Sequence, residues 1–178
     1  FKKNLSFVTD VKSFEDNLSV TSSMTYTYSL EHPETGEKLI DKKNLTAELN
    51  RSVLLLPKNV YHPRTADPRI GFFFTKRTRF GNTTSTSRPE WLVNRWRLEP
   101  SDTIAYRRGE IVPPVKPITF YIDSDFPQWW KPYIKEAVEQ WNEVFEEIGF
   151  KNAVVAKEFP ENDPSFDPEN IKYSCIRY

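Results

Sequence analysis

The two histidines of the sequence are its first candidates for metal chemistry. His32 and His62 each stand directly before a proline, in segments whose composition is typical of turns. A zinc site in a protein draws its ligands from several Cys, His or carboxylate side chains at short, regular spacings. Since two isolated histidines do not provide such a set, we expect both rings to contact solvent or a nearby carbonyl group.

Two groups of carboxylates could act as acids and bases or hold calcium. Asp123 and Asp125 stand just before a predicted helix, where a carboxylate can cap the helix and face its positive end. The segment 162–169 is rich in side-chain oxygens, but it lacks the glycine and the alternate-position spacing of an EF-hand loop, and its Asp-Pro pairs favour a turn. We favour a structural role in both places over catalysis or calcium binding.

Two further features are candidate binding sites, and one cysteine is a candidate reactive group. Residues 72–97 mix arginines with aromatics, as in proteins that bind single-stranded nucleic acid, but they contain no recognisable binding motif. Trp129 and Trp130, with Gln128, could form an aromatic platform for a sugar, although Trp130 also belongs to the apolar stripe of the predicted helix, so at most Trp129 is free. Cys175 is the only cysteine, which excludes an internal disulfide, and we expect it to be a buried, inert thiol.

The composition argues against two classes of partner. The 25 basic residues balance 25 acidic ones, so no net field attracts nucleic acid or an anionic membrane. No apolar run approaches the ~20 residues of a membrane span. With 38% hydrophobic residues, the chain has enough apolar side chains for a core. We therefore expect neither a nucleic-acid partner nor a membrane span.

The residues near 123–129 must be positioned by one amphipathic helix, predicted over residues 128–148. Apolar side chains recur there at steps of three and four, which places them on one buried face. They are Trp130, Tyr133, Ile134, Ala137, Val138, Trp141, Val144, Phe145 and Ile148.

Both ends of this helix have sequence signals. Asp125 or Ser124 can cap the start, and Pro127 or Pro132 fits the first turn, where no backbone donor is needed. Gly149 can adopt the left-handed conformation that ends a helix.

Strands are predicted on both sides of the helix. Residues 117–123 are β-branched and aromatic, and residues 152–159 contain a short apolar run between turn signals. Strand, helix and strand predict a right-handed βαβ unit with parallel strands. A third strand is predicted over residues 172–178.

The first half of the chain has the pattern of antiparallel strands. They are predicted at residues 5–14, 18–30, 38–40, 45–56 and 90–99. Residues 53–56 are apolar on both faces, so we expect part of their strand to be covered twice. Trp91, Val93 and Trp96 are expected to point inward, as are the three aromatics at 72–74. A polar loop is predicted over 81–88.

The predicted fold class is α+β, with a domain boundary near Pro114. Residues 100–117 contain four prolines and are predicted to form a linker or surface strap. Residues 1–114 then form a mostly antiparallel β module. Residues 115–178 form a βαβ unit followed by a strand.

The second part of the chain contains several short motifs in a characteristic order. They are Pro-Ile-Thr-Phe-Tyr-Ile-Asp at 117–123, Ala137 and Trp141 in the helix, Ile-Gly-Phe at 148–150 and Tyr-Ser-Cys-Ile-Arg at 173–177. In this order they resemble the opening of a metzincin-type zincin catalytic domain. They look closest to large extracytoplasmic bacterial zinc metalloproteases, whose upstream regions are domains of unknown function. In that family a passage similar to Asp-Pro-Arg-x-Gly-aromatic at 67–72 precedes the catalytic domain.

The resemblance implies where the catalytic groups would lie. The zinc-binding motif of that family, His-Glu-x-x-His, needs two histidines one helical turn apart with a glutamate base, and it follows later in the polypeptide. This sequence does not contain it. The resemblance thus implies the non-catalytic N-terminal part of a secreted zinc metallopeptidase, with no catalytic, cofactor-binding or metal-binding residue of its own and with zinc in the full-length protein.

The same resemblance implies location and partners. The protein would be periplasmic, exposed on the cell surface or secreted, and its partners would be the remainder of its own catalytic domain and a peptide or protein substrate. The alternative is a β-rich module that binds glycans or surfaces and has no peptidase activity. A His-Glu-x-x-His helix beyond Tyr178 would favour the first interpretation.

Overall fold

The structure is a computed structural model that describes residues 1–58, 61–81 and 87–178. Two compact units are present. Unit 1 comprises Phe1–Leu56 and Phe159–Cys175, and unit 2 comprises Pro57–Glu158 and Ile176–Tyr178. The predicted boundary near Pro114 stays a prediction, because spatial compactness does not by itself define a domain of the sequence.

Unit 1 is built on an antiparallel sheet of three strands in the order β1-β2-β3. A 3-10 turn at Lys3–Leu5 precedes β1 (Phe7–Ser13), β2 (Asn17–Glu31) and β3 (Lys38–Leu54). Asn17 lies opposite Leu54, and Glu31 lies opposite Lys38. The turn between β2 and β3 includes Gly36, whose φ of 69° lies in the left-handed region.

The third strand differs from its prediction. The sequence pattern predicts two strands, at residues 38–40 and 45–56, but β3 runs without a break from Lys38 to Leu54. Lys42 has a φ of 45°, and its backbone N–H donates to the Ser29 hydroxyl at 3.1 Å. The register between Tyr28 and Leu30 is irregular at the same level. The turn-like residues around Lys42 therefore form an irregularity within one continuous strand.

The buried residues of β2 are polar, three of them on one face of the strand and Ser22 on the other. Asn17, Ser19, Ser22 and Thr25 are each at most 4% exposed. Asn17 donates from Nδ2 to the backbone oxygen of Glu169 at 3.0 Å and accepts from the Ile171 N–H at 3.1 Å. These bonds attach the segment 159–175 of unit 1 to the sheet and satisfy polar groups that would be costly to bury alone.

Apolar residues at the end of β3 face outward. Val53, Leu54, Leu55 and Leu56 are 48–82% exposed. The expectation that part of this strand would be covered on both faces is therefore wrong at residues 53–56. Leu54 lies opposite Asn17 and on the same face, yet it is 48% exposed whereas Asn17 is 4% exposed.

Unit 2 begins with a two-stranded antiparallel hairpin. Its strands are β4 (Phe74–Phe80) and β5 (Ser87–Val93), and Phe80 lies opposite Ser87. The strand predicted at 90–99 thus starts earlier and ends at Val93. Most of the polar loop predicted over 81–88 lies outside the described residues.

Several aromatics expected to point inward are exposed in unit 2. Trp91 is 39% exposed and Trp96 is 53% exposed, whereas Val93 is partly buried. Of the three consecutive phenylalanines, Phe73 is 89% exposed. A single hairpin offers Trp91 little surface to pack against. Trp96 lies beyond the hairpin and contacts Phe120 edge-on, with ring centroids 5.9 Å apart.

A short helix, α1 (Thr103–Arg107), lies in the segment predicted to be a linker. The Asp102 side chain caps it by accepting from the backbone N–H groups of Ile104 at 2.9 Å and Ala105 at 3.0 Å. The sequence did not predict this helix, because the four prolines of residues 100–117 indicated a linker. Asp102 was a usable signal, since Asp is a recognised helix cap.

The predicted βαβ unit is present in unit 2. The strands β6 (Ile118–Ile122) and β7 (Val154–Glu158) are parallel, with Ile118 opposite Val154. Between them lie α2 (Lys131–Glu139) and α3 (Asn142–Glu147). The last strand, β8 (Ser174–Ile176), is shorter than the strand predicted at 172–178. The architecture is mixed, with antiparallel sheets and a few helices, in agreement with the α+β class.

The apolar core of unit 2 lies under these helices. Ile118, Phe150, Ala153 and Val154 are buried, and Val138 and Phe145 of the helices pack against them. Gly149 ends α3 with a φ of 91°, as predicted.

Candidate functional site

The helical segment is divided in two, unlike the single helix predicted over 128–148. At the junction the backbone N–H groups of Glu143 and Val144 donate to the oxygens three residues earlier, at 3.3 and 3.1 Å, so the turn there is tighter than an α-helix. The first helix has Trp130 as its N-cap and a proline, Pro132, in its first turn. The predicted caps Asp125 and Ser124 do not cap it.

The apolar helix residues form two rows, and the sheet covers one of them. Ile134, Val138 and Phe145 are partly buried towards β6 and β7. Tyr133, Trp141, Val144 and Ile148 are instead 68, 61, 56 and 56% exposed. The prediction placed both rows on the buried face, but a sheet with so few strands is too narrow to cover them. We call the second row, Tyr133, Trp141, Val144 and Ile148, the exposed apolar face.

Three polar side chains of α2 and α3 lie between these helices and β7 and bond to the strand. Asn142 donates from Nδ2 to the Val154 oxygen at 2.8 Å and accepts from the Val154 N–H at 2.9 Å. Glu139 accepts from the Ala156 N–H at 3.2 Å, and Lys131, a residue 6% exposed, donates to Glu158 at 3.1 Å.

The sequence did not predict these contacts. A usable signal was the spacing of Asn142, which stands four residues after Val138 and three before Phe145.

The same contacts affect whether a peptide could bind by adding a strand to this sheet. Such binding needs free backbone groups at a sheet edge. Because α2 and α3 side chains already bond to Val154 and Ala156 of β7, we expect an extended peptide to find this strand largely occupied.

The two aspartates before α2 have different surroundings. Asp123 is 5% exposed, and its carboxylate accepts from the Asp125 N–H at 3.2 Å and from Arg177 Nε at 3.4 Å. Asp125 is exposed. Asp123 therefore supports a turn and an ion pair rather than the predicted helix cap.

The ring of His32 contacts the turn that follows it, and the backbone of His62 contacts a distant arginine. His32 Nδ1 accepts from the backbone N–H groups of Glu34 and Thr35, both at 3.3 Å. The His62 carbonyl oxygen accepts from Arg95 at 2.8 Å. No group of three or more His, Cys, Asp and Glu residues that could hold a metal occurs among the described residues.

The carboxylates of the segment 162–169 are engaged in turns and ion pairs. Asp163 accepts from the Ser165 hydroxyl at 2.6 Å and from its N–H at 2.9 Å, and these hydrogen bonds lower the pKa of Asp163. Asp167 and Glu169 pair with Lys12 at 2.9 and 3.3 Å. The hydrogen bond to Asp167 is the main cause of a raised pKa of Lys12. This geometry favours the turn over a calcium site.

Three arginines of residues 72–97 contact acidic or aromatic partners. Arg77 pairs with Glu90 at 2.6 Å, and Arg97 pairs with Glu99 at 2.6 Å. Arg95 stacks over Tyr61, 3.9 Å from the ring centre, and donates to its hydroxyl. These three arginines therefore have protein partners.

An aromatic cluster lies at the amino end of α2. Trp130 contacts the rings of Trp129, Phe126 and Tyr178 with centroids 5.3, 6.2 and 6.3 Å apart. Trp129 remains 68% exposed, which leaves it accessible for stacking. Cys175 is partly exposed rather than buried.

The fold and this surface define an α+β protein whose βαβ unit exposes an apolar helix face. By sequence, the chain belongs to the family described as Domain of unknown function (DUF5117), which matches residues 1–101. No curated protein and no solved structure matches the chain. No helix among the described residues is long and apolar enough to cross a membrane.

Proposed function

We propose that this chain is the non-catalytic N-terminal part of a secreted or periplasmic zinc metallopeptidase, in which the βαβ unit scaffolds the upper half of the active-site cleft. The observation that carries the proposal is the exposed apolar face of α2 and α3. The resemblance of residues 117–178 to the opening of a zincin domain supplies the reaction class.

The exposed apolar face favours a covering partner on physical grounds. Tyr133, Trp141, Val144 and Ile148 are each more than half exposed, although they belong to the strongest amphipathic pattern of the sequence. Burying a large apolar side chain stabilises by about 1.5–3 kcal/mol. Contiguous apolar surface of this kind marks interaction sites. In the proposal, the remainder of the catalytic domain packs here.

The chemistry would be supplied outside this chain. Zinc would polarise the substrate carbonyl and activate water. The described residues do not fit a zinc site, because His32 Nδ1 accepts backbone N–H bonds in a turn and the segment 162–169 uses its carboxylates in turns and pairs with Lys12. No catalytic step is therefore assigned to a residue of this chain.

The test is to produce the polypeptide with the sequence that follows Tyr178 in its gene. We expect one zinc per polypeptide by metal analysis and cleavage of casein that stops on chelation and returns with zinc. The 178-residue chain alone is the matched control and should show neither. A longer polypeptide that folds but neither holds zinc nor cleaves casein would overturn the proposal.

The second candidate is a glycan-binding or surface-binding module without peptidase activity. Its supporting observation is Trp129, 68% exposed beside Trp130. Sugar-dependent quenching of tryptophan fluorescence that is lost in Trp129→Ala, together with no peptidase activity, would favour it.

A further inference from the structure

An open groove of about 550 Å³ lies in unit 2 where the parallel strands β6 and β7 end and α2 begins. Its floor includes Ile122, 1% exposed, and Ala156, 4% exposed. In sheets with parallel strands and helical crossovers, ligands bind beyond the carboxyl ends of the strands. The amino end of a helix adds a positive dipole at the same place.

The groove has an excess of positive charge. Its described lining contains Lys131, Lys135 and Lys157 against one carboxylate, Glu158. The helical segment beyond the groove is acidic, with Glu136, Glu139, Glu143, Glu146 and Glu147. Of these, Glu139 is the nearest, since it accepts from the N–H of the floor residue Ala156 at 3.2 Å. The excess of lysine is thus local to the groove.

Lys131 is buried in an unusual way. Its side chain is 7% exposed, whereas that of its partner Glu158 is 60% exposed, with Nζ and Oε2 3.1 Å apart. A buried ammonium needs a negative partner, since removing it from water is costly. An exposed carboxylate on the last residue of β7 can turn into solvent and leave the ammonium to another anion.

We infer that this groove binds an organic anion, whose carboxylate or phosphate group contacts Lys131 and whose apolar part lies over Ile122 and Ala156. Glu158 neutralises Lys131 in the empty groove and is displaced when the ligand binds. Lys135 and Lys157 add charge at the rim. The inference does not depend on peptidase activity.

The experiment titrates the isotopically labelled 178-residue chain with phenyl phosphate, with benzoate and with uncharged benzyl alcohol, following backbone amide signals by NMR. We expect saturable shifts at Ile122, Ala156 and Glu158 with the anions and at least ten-fold weaker binding of benzyl alcohol. The stronger of the two anions identifies phosphate or carboxylate as the preferred group.

Variants make the test specific. Lys131→Met keeps the length of the side chain and removes its charge, and it should weaken binding at least ten-fold; because Glu158 is exposed, no buried carboxylate is left unpaired. Glu158→Gln removes the competing carboxylate and should strengthen binding several-fold. Lys151→Gln, an exposed lysine outside the groove, is the control and should leave binding unchanged.

Two results would overturn the inference. One is the absence of saturable shifts at the groove. The other is equal weakening by Lys131→Met and Lys151→Gln, which would show non-specific charge attraction. Amide spectra of the free variants report whether each one folds, and Glu158→Gln tests the groove through gained rather than lost binding.

Discussion

Asn142 is the residue on which the geometry of the helices depends. Its side chain satisfies both backbone groups of Val154, a residue 4% exposed. An Ala, Leu or Asp side chain cannot both donate and accept at this position. The tight turn between α2 and α3 places Asn142 against β7.

We expect Asn142→Ala to lower the free energy of unfolding by about 2 kcal/mol, because two buried backbone groups lose their partner. Urea unfolding followed by circular dichroism measures the loss. The exposed neighbour Gln140 provides the control, since Gln140→Ala should change stability by less than about 0.5 kcal/mol. Equal effects of both variants would show that the Asn142 bonds contribute nothing specific.

At the scale of elements, Gly149 and the Tyr106 side chain beside it fix the end of α3. Gly149 has a φ of 91°, and a Cβ there would lie 2.8 Å from Cε2 of Tyr106. Tyr106 in turn donates its hydroxyl to the Ile148 oxygen at 3.0 Å and stacks on Phe150. The helix end and α1 are therefore packed together within unit 2.

Gly149→Ala should destabilise the chain by about 2 kcal/mol, through strain in the backbone and a clash with Tyr106. Gly109 separates the two causes, because its φ is 85° but a Cβ added there would meet no atom within 4 Å. Gly109→Ala should therefore cost only about 1 kcal/mol. Gly71→Ala, with open space and no positive φ, should be close to neutral. Thermal unfolding of the three variants gives the ranking, and a Gly149 effect no larger than that of Gly109 would exclude the clash.

At the scale of the whole molecule, exposed apolar surface is the main property that the two units share. It includes Val53, Leu55 and Leu56 in unit 1 and Trp141 and Val144 in unit 2. Burying such a side chain against further protein stabilises by about 1.5–3 kcal/mol. Each unit is therefore suited to packing against further protein.

Trp141→Lys combined with Val144→Lys tests the exposed apolar face. In the 178-residue chain the free energy of unfolding should change by less than about 1 kcal/mol, because both side chains are more than half exposed. In the longer polypeptide with its downstream region, the same pair should destabilise by at least about 2 kcal/mol and reduce zinc loading.

The control for this pair is Gln140→Lys, which adds a charge to the same helical segment outside the apolar face. It should have little effect in either polypeptide. If the double variant is equally harmless in the longer polypeptide, the downstream region does not cover this face.

Much of the local structure in the second part of the chain could be predicted from its sequence. β-branched runs predicted β6 and β7, and Gly149 predicted the helix end, because strand propensity and left-handed glycine act within a few residues. The parallel pairing of β6 and β7 also followed, since a helical crossover permits little else. The Asp-Pro pairs predicted the turns of 162–169.

Which sides of these elements are covered depends on the tertiary structure. Periodicity shows that a helix has an apolar side, but the width of the sheet decides that Val138 packs and Trp141 does not. The break at Asn142, the continuity of β3 through Lys42 and the burial of Lys131 depend on partners distant in sequence. Such contacts leave no periodic signal, because each is a single pair of residues brought together by the fold.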